Sequence, residues 1–326
     1  MSIKAENTSA DELASAADAD GVPAGSHLET ETDADAPKSL PPIVPDAPQV
    51  VYTSTSDIRN PLKLFTQIFH GFRDGRELAS RIFVRNLNGL YRQTALGLFW
   101  AFLPPLANTA IWIFLKSQNV FEMGDTGVDS TVYILTGMIL WQAFIDAFQA
   151  PASLVNSNKN MVSKLNFPRE ALLLVGFSEV LFNIAVRLVL LIPAFILFQV
   201  PVSWGILLAP FTIVAMVIFA MSLGLMLLPL GSLYKDVGRF ISMVVPFWMI
   251  ITPIIYVPAE TFPGTLLNWV NPASPLILVS RDLLLMGDTT HATIGIVFAL
   301  LSIPLSLIGL IIYRISLPIL IERMAA

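Results

Sequence analysis

Residues 98–115, 132–155, 171–198, 204–228, 240–257 and 293–313 are long, mostly apolar runs separated by short polar loops. A helix needs about 20 such residues to cross roughly 30 Å of hydrocarbon. The runs therefore predict six transmembrane helices, which is an all-α integral membrane protein. They are continuously apolar, whereas barrel strands alternate apolar and polar residues over about ten positions.

The loops carry an orientation. With a cytoplasmic N-terminus, the inside segments hold Arg73, Arg76, Arg81, Arg85, Arg92, Lys159, Lys164, Arg169, Lys235, Arg239, Arg314 and Arg323, and the outside loops hold Lys116 and Arg281. That asymmetry follows the positive-inside rule. An even number of spans then places both termini in the cytoplasm.

The formal net charge of −5 sums two unlike parts. Residues 1–57 contain eleven acidic residues against Lys4 and Lys38, a local net of −9 that leaves the remainder at +4. This stretch is rich in Ala, Asp, Ser, Thr and Pro, so it buries too little apolar surface to offset ordering entropy. It is expected to be a disordered acidic tail, and it lacks the basic and apolar regions of a signal peptide. Residues 58–97 form a cytoplasmic approach, and 98–326 the membrane domain. The chain has no cysteine, which excludes disulfides and thiolate metal sites.

Within the approach, residues 76–97 are amphipathic. At 100° per residue Arg81, Arg85, Asn88 and Arg92 share one narrow stripe, and Leu78, Ile82, Phe83, Leu87, Leu90 and Tyr91 cover the opposite arc. Such a helix is expected to lie in the membrane interface, with apolar residues among acyl chains and arginines among phosphates. A plain positive-inside anchor accounts for the same pattern.

Four short motifs occur in order along this frame. They are Arg85-x5-Tyr91-Arg92-Gln93-x2-Leu96-Gly97-x2-Trp100 with Pro104-Pro105, then Phe167-Pro168-Arg169-Glu170, then Tyr234-Lys235-Asp236-Val237, and Asn271-Pro272. Together they resemble the polysaccharide-export permeases of the type-2 ABC transporter family, from about residue 59 onward. The resemblance implies the membrane subunit of an exporter of lipid-linked O-antigen, capsule or teichoic acid chains. It also implies a homodimer in the bacterial inner membrane, paired with a separate ABC ATPase dimer that binds ATP and Mg.

In that family the polar segment after the second span docks on the ATPase. Here it is Asn156–Glu170, stopped by Pro168, and its contacts would be Met161, Val162, Lys164, Leu165, Phe167, Arg169 and Glu170. The chain itself carries no Gly-x4-Gly-Lys-Ser/Thr phosphate loop, so ATP is assigned to another polypeptide. His27, His70 and His291 show no metal-ligand spacing, no catalytic triad or carboxylate pair can be assembled, and the basic residues are not clustered with aromatics as nucleic-acid binding needs.

Between Val257 and Asp288 lie four prolines and two apolar runs, 266–270 and 276–285, too short to span. They predict short re-entrant helices in the outer leaflet, buried within protein. Asp146, Glu179 and Arg187 fall inside spans, where facing lipid costs about 2.5–3.5 kcal/mol each. They are expected to face the bundle or a pore, with an Arg187–carboxylate pair joining helices. Trp141, Phe144 and Phe148 share one helical face and are candidates to line a glycan path, because sugar C–H faces stack on aromatic planes. Pro104 and Pro105 are expected to kink the first span and Pro253 the fifth. An ion-driven carrier using the three charged residues, and a membrane-embedded glycan-modifying enzyme, are the rival readings.

Overall fold

The computed structural model describes residues 61–92, 97, 99–158, 169–258, 261–287 and 290–325, without the side chains of 61–65, 90–92, 235 and 321–325. The chain divides into two units, Met1–Thr53 and Ser54–Ala326, and all described residues belong to the second. The acidic tail lies outside them, as does 159–168, which carries Met161, Val162, Lys164, Leu165 and Phe167.

Among the described residues the fold is helical throughout. The order is α1 (Pro61–Asp74), α2 (Arg76–Arg92), α3 (Phe99–Ser117), α4 (Ser130–Ser157), α5 (Glu170–Leu188), α6 (Leu191–Leu197), a 3-10 turn (Trp204–Leu207) and α7 (Ala209–Leu233). Then come α8 (Lys235–Ile251), α9 (Gly264–Val270), α10 (Ser274–Leu285) and α11 (Ala292–Ala325). Four stretches are long and apolar enough to cross a membrane: Ser130–Ser157, Glu170–Leu197, Ala209–Leu233 and Ala292–Leu320. The first and fifth expected spans exist as helices but fall short of that measure. Pro104, Pro105, Asn108 and Thr109 dilute the apolar character of α3. Helix α8 has 17 residues and opens on Lys235, Asp236 and Arg239.

The centre is α4 and α7. Helix α4 is buried almost all round, which explains why its apolar residues show no single preferred face. It comes close to α7 at Gly224, where an added Cβ would stand 2.0 Å from the Phe148 carbonyl oxygen. Backbones meet this closely in membrane bundles where small residues allow it. Around this centre the outer faces stay apolar: Ile192, Ile196, Phe211, Ile296, Leu300 and Ile303 are all exposed. A surface of this kind suits hydrocarbon rather than water.

One expected span is broken. Val189, Leu190 and Ile192 donate to carbonyls three residues back, at 3.2, 3.0 and 3.2 Å. Pro193 has no N–H for the Val189 carbonyl, so the chain tightens there before α6 resumes. Pro253 does not kink the fifth span as expected. Helix α8 ends at Ile251, and Thr252, held extended at φ −83 and ψ 132, obeys the steric restriction on a residue before proline.

Helix α1 falls where only an approach segment was expected. Its signals are Pro61 at the first position and Gly75 just beyond its end, where Gly75 N–H bonds the Gly71 carbonyl at 2.9 Å. Helix α2 turns Ala79 and Ile82 inward, and Phe83 meets Phe182 edge-on at 6.2 Å. Much of the apolar arc expected to enter the membrane therefore packs on α5 instead. The two short helices expected in 257–288 are present, and α10 is buried along its whole length.

Candidate functional site

The bundle has a basic end. Helix α4 finishes there at Ser157, α5 begins at Glu170, α7 finishes at Leu233, and α11 passes Arg314. Arg73, Arg76, Arg81, Arg85, Arg169, Arg239 and Arg314 all belong to it, whereas Lys116 and Arg281 sit toward the opposite end. A second apolar core, including Ile82, Leu154, Leu172, Leu228 and Tyr313, holds this end together.

Both flanks of segment 159–168 are tied down. On its N-terminal side, the Asn158 side chain is buried, donates to the Leu154 carbonyl at 3.0 Å and accepts from Arg85 Nη2 at 3.2 Å. On its C-terminal side, the Arg169 carbonyl accepts from the Tyr313 hydroxyl at 2.8 Å. Glu170 is buried at 4 % exposure, with Arg314 Nε 3.0 Å from its Oε1. Arg314 also donates through Nη1 to Gln67 Oε1 at 3.1 Å. Expected as a contact for a partner, Glu170 has its carboxylate enclosed within its own chain. Of the arginine stripe, Arg81 is exposed and pairs with Glu77 at 2.6 Å. Arg85 reaches Asn86 and Asn158, and the Arg92 side chain lies outside the described residues.

The three intramembrane charges are not brought to one place. Arg187 Nη1 lies 2.5 Å from Asp146 Oδ2, joining α5 to α4, and Gln142 donates to Asp146 Oδ1 at 2.9 Å. Glu179 instead accepts from Asn86 Nδ2 at 2.8 Å, pinning α2 to α5.

Trp141, Phe144 and Phe148 close around one ring. Trp248 of α8 meets them edge-on, with centroids 5.7, 5.5 and 5.8 Å away. In the single chain all three are buried, so they form core between α4 and α8. The Trp248 indole donates to Asn271 Oδ1 at 2.8 Å, and Asn271 Nδ2 donates to Thr252 Oγ1 at 2.9 Å. Asn271 Oδ1 also accepts from the Ala273 N–H at 3.1 Å. The Asn-Pro motif thus closes α9 and fastens it to the end of α8.

Arg281, counted in the sequence among the outside charges, lies in the second of the two short helices expected there. It is 1 % exposed within α10. Its guanidinium lies 3.9 Å from the Tyr133 ring centroid and donates to the Pro253 carbonyl at 2.8 Å. Beside it a cavity of about 210 Å³ is bordered by Tyr133, Asp282 and His291. Around it His291 Nδ1 pairs with Asp282 Oδ2 at 2.8 Å and the Tyr133 hydroxyl donates to the Tyr256 carbonyl at 3.3 Å. The only advance signal was an Arg-Asp pair inside an apolar run.

Helical throughout the described residues, with four candidate spans, an apolar exterior and one basic, tightly tied end, the fold is that of a multi-pass integral membrane protein. The chain belongs to the ABC-2 type transporter family, whose model matches residues 78–283. An O-antigen export system permease protein RfbA of Klebsiella pneumoniae is 27% identical over 243 residues, 71% of this chain and 88% of that protein. A protein of the same description from Myxococcus xanthus is 22% identical over 185 residues, 56% of this chain and 68% of that protein. Permeases of the ABC-2 family work with an ABC ATPase partner.

Proposed function

We propose that this chain is the membrane subunit of an ATP-driven exporter of lipid-linked, O-antigen-like polysaccharide across the bacterial inner membrane. The observation that carries the reading is its similarity to O-antigen export permeases over most of both chains. ATP and Mg belong to the partner ATPase dimer, which docks on 159–168 between the two tied flanks. The basic end faces the cytoplasm with both termini, in keeping with the positive-inside rule.

Six crossings follow if α3 and α8 are also embedded. At 1.5 Å per residue, 19 residues of α3 reach about 28 Å, close to the hydrocarbon thickness. Helix α8 turns Ile241, Val245 and Trp248 inward and leaves Phe240, Met243, Phe247 and Ile250 exposed along one face. That face, with Phe99, Trp100, Leu103 and Leu106 of α3, suits a second copy in an isologous pair with the glycan path between protomers.

Replacing Leu165 and Phe167 with Asp should abolish co-purification of the ATPase while leaving membrane insertion intact. Unchanged co-purification would sink the docking assignment. Cysteines at Ser130 and Thr265 should label from outside, and one at Ser163 only after permeabilisation. The lack of native cysteine makes that reading clean.

A further inference from the structure

We infer that Glu170 and Arg314 are positioning residues that transmit movement of segment 159–168 into α1 and α11 as well as α5. The inference rests on the reading that this segment docks the ATPase. Force applied to a loop moves whatever its ends are fastened to. The Asn158 flank is held by hydrogen bonds to Arg85 and Leu154, of which the Arg85 one is part-exposed. The Glu170 flank is held differently. An ion pair at 3.0 Å, with the carboxylate 6 % and the guanidinium 22 % exposed, is little screened by solvent and stiff.

Two elements far from α5 in sequence converge on that carboxylate. Arg314 brings α11, and through its second nitrogen it brings Gln67 of α1. Gly71 of α1 lies against the carboxylate so closely that an added Cβ would stand 2.5 Å from Glu170 Oε2. One turn on, a Cβ at Gly75 would stand 3.0 Å from the Ala171 Cβ, so α1 and the start of α5 meet nearly backbone to backbone. Tyr313, next to Arg314 and 1 % exposed, holds the Arg169 carbonyl directly before the pair. Displacing the first turn of α5 therefore displaces α1 and α11 with it. Helix α11 packs along α7, so the displacement enters the centre of the bundle.

The test uses the full chain with its ATPase, comparing Arg314→Met, Arg314→Lys and Gly71→Ala. Arg314→Met removes the charge and the bonds to Glu170 and Gln67. Arg314→Lys keeps the charge without the fork that reaches Glu170 and Gln67 together. Gly71→Ala keeps every charge and crowds the carboxylate. Four quantities are read: membrane level, ATPase co-purification, ATP hydrolysis by the purified complex, and surface glycan. Arg314→Met and Gly71→Ala should hold and run the ATPase while glycan exported per ATP falls about tenfold, a size typical of broken site-to-site coupling, with Arg314→Lys in between. Glycan falling only in proportion to membrane level, or unchanged in Arg314→Met, overturns the inference. If Arg314→Met does not reach the membrane, Gly71→Ala decides alone. Should the ATPase fail to co-purify with the unaltered chain, the docking reading falls and the inference falls with it.

Discussion

Arg187 reaches from α5 to Asp146 on α4 with 2.5 Å between Nη1 and Oδ2, and these are two of the three charged side chains, with Glu179, that a carrier would use to bind and release an ion. Their mutual closure is the geometry expected of a pair that holds helices together. Losing one partner of a buried pair leaves an uncompensated charge at a cost of about 3 kcal/mol or more, whereas replacing both with apolar residues is often near neutral. Asp146→Leu should thus lower the melting temperature of the solubilised protein, and Asp146→Leu with Arg187→Leu should recover most of it and retain export. A double variant that is stable yet exports nothing would return the pair to the transport path.

Two glycines on one helix should respond in opposite ways. An added Cβ at Gly224 meets the Phe148 carbonyl oxygen at 2.0 Å, and one at Gly231 meets nothing within 4 Å. Gly224→Ala must push α7 away from α4 and should cost about 1–3 kcal/mol, as overpacking does, read as loss of protein from the membrane. Gly231→Ala should be tolerated and can gain several tenths of a kcal/mol from reduced unfolded-state freedom. Equal membrane levels for both variants would contradict the close approach.

The sequence made the long helices legible because a continuous apolar run of 20 residues has few other ways to satisfy its backbone in lipid. Ser130–Ser157, Glu170–Leu197, Ala209–Leu233 and Ala292–Leu320 follow from that alone. Periodicity also put Trp141, Phe144 and Phe148 on one face, yet it could not supply Trp248, 100 residues beyond Phe148, that closes them into core. Helix α2 shows the same limit. Its apolar arc reads identically whether it meets acyl chains or α5, and only distant contacts, Phe83 with Phe182 and Asn86 with Glu179 across 93 residues, separate the two. The break before α6 was available in Pro193 but was masked by the unbroken apolarity around it. Glu170 could not be told from a surface contact, since nothing local announces Arg314 or Gln67.

Arg281 supplies the last test, because its burial joins three parts of the fold that sequence kept apart. After α8 stops at Ile251 the chain reverses, and the Pro253 carbonyl points into the protein without a helical partner. Arg281 satisfies it and covers the Tyr133 ring, linking α10, α4 and the reversal. Arg281→Met keeps much of the packing volume but leaves that carbonyl unsatisfied and removes the cation from the ring. The expected cost is about 3–5 kcal/mol, from an orphaned buried acceptor of about 1–3 kcal/mol and a desolvated cation–π contact of about 2. Arg281→Lys should rescue only in part, since one ammonium cannot lie flat on the ring and reach the carbonyl together. Thermal unfolding of the three proteins in one detergent orders them: unaltered chain highest, lysine intermediate, methionine lowest. A methionine variant as stable as the unaltered chain would show that the reversal after α8 holds without its buried cation.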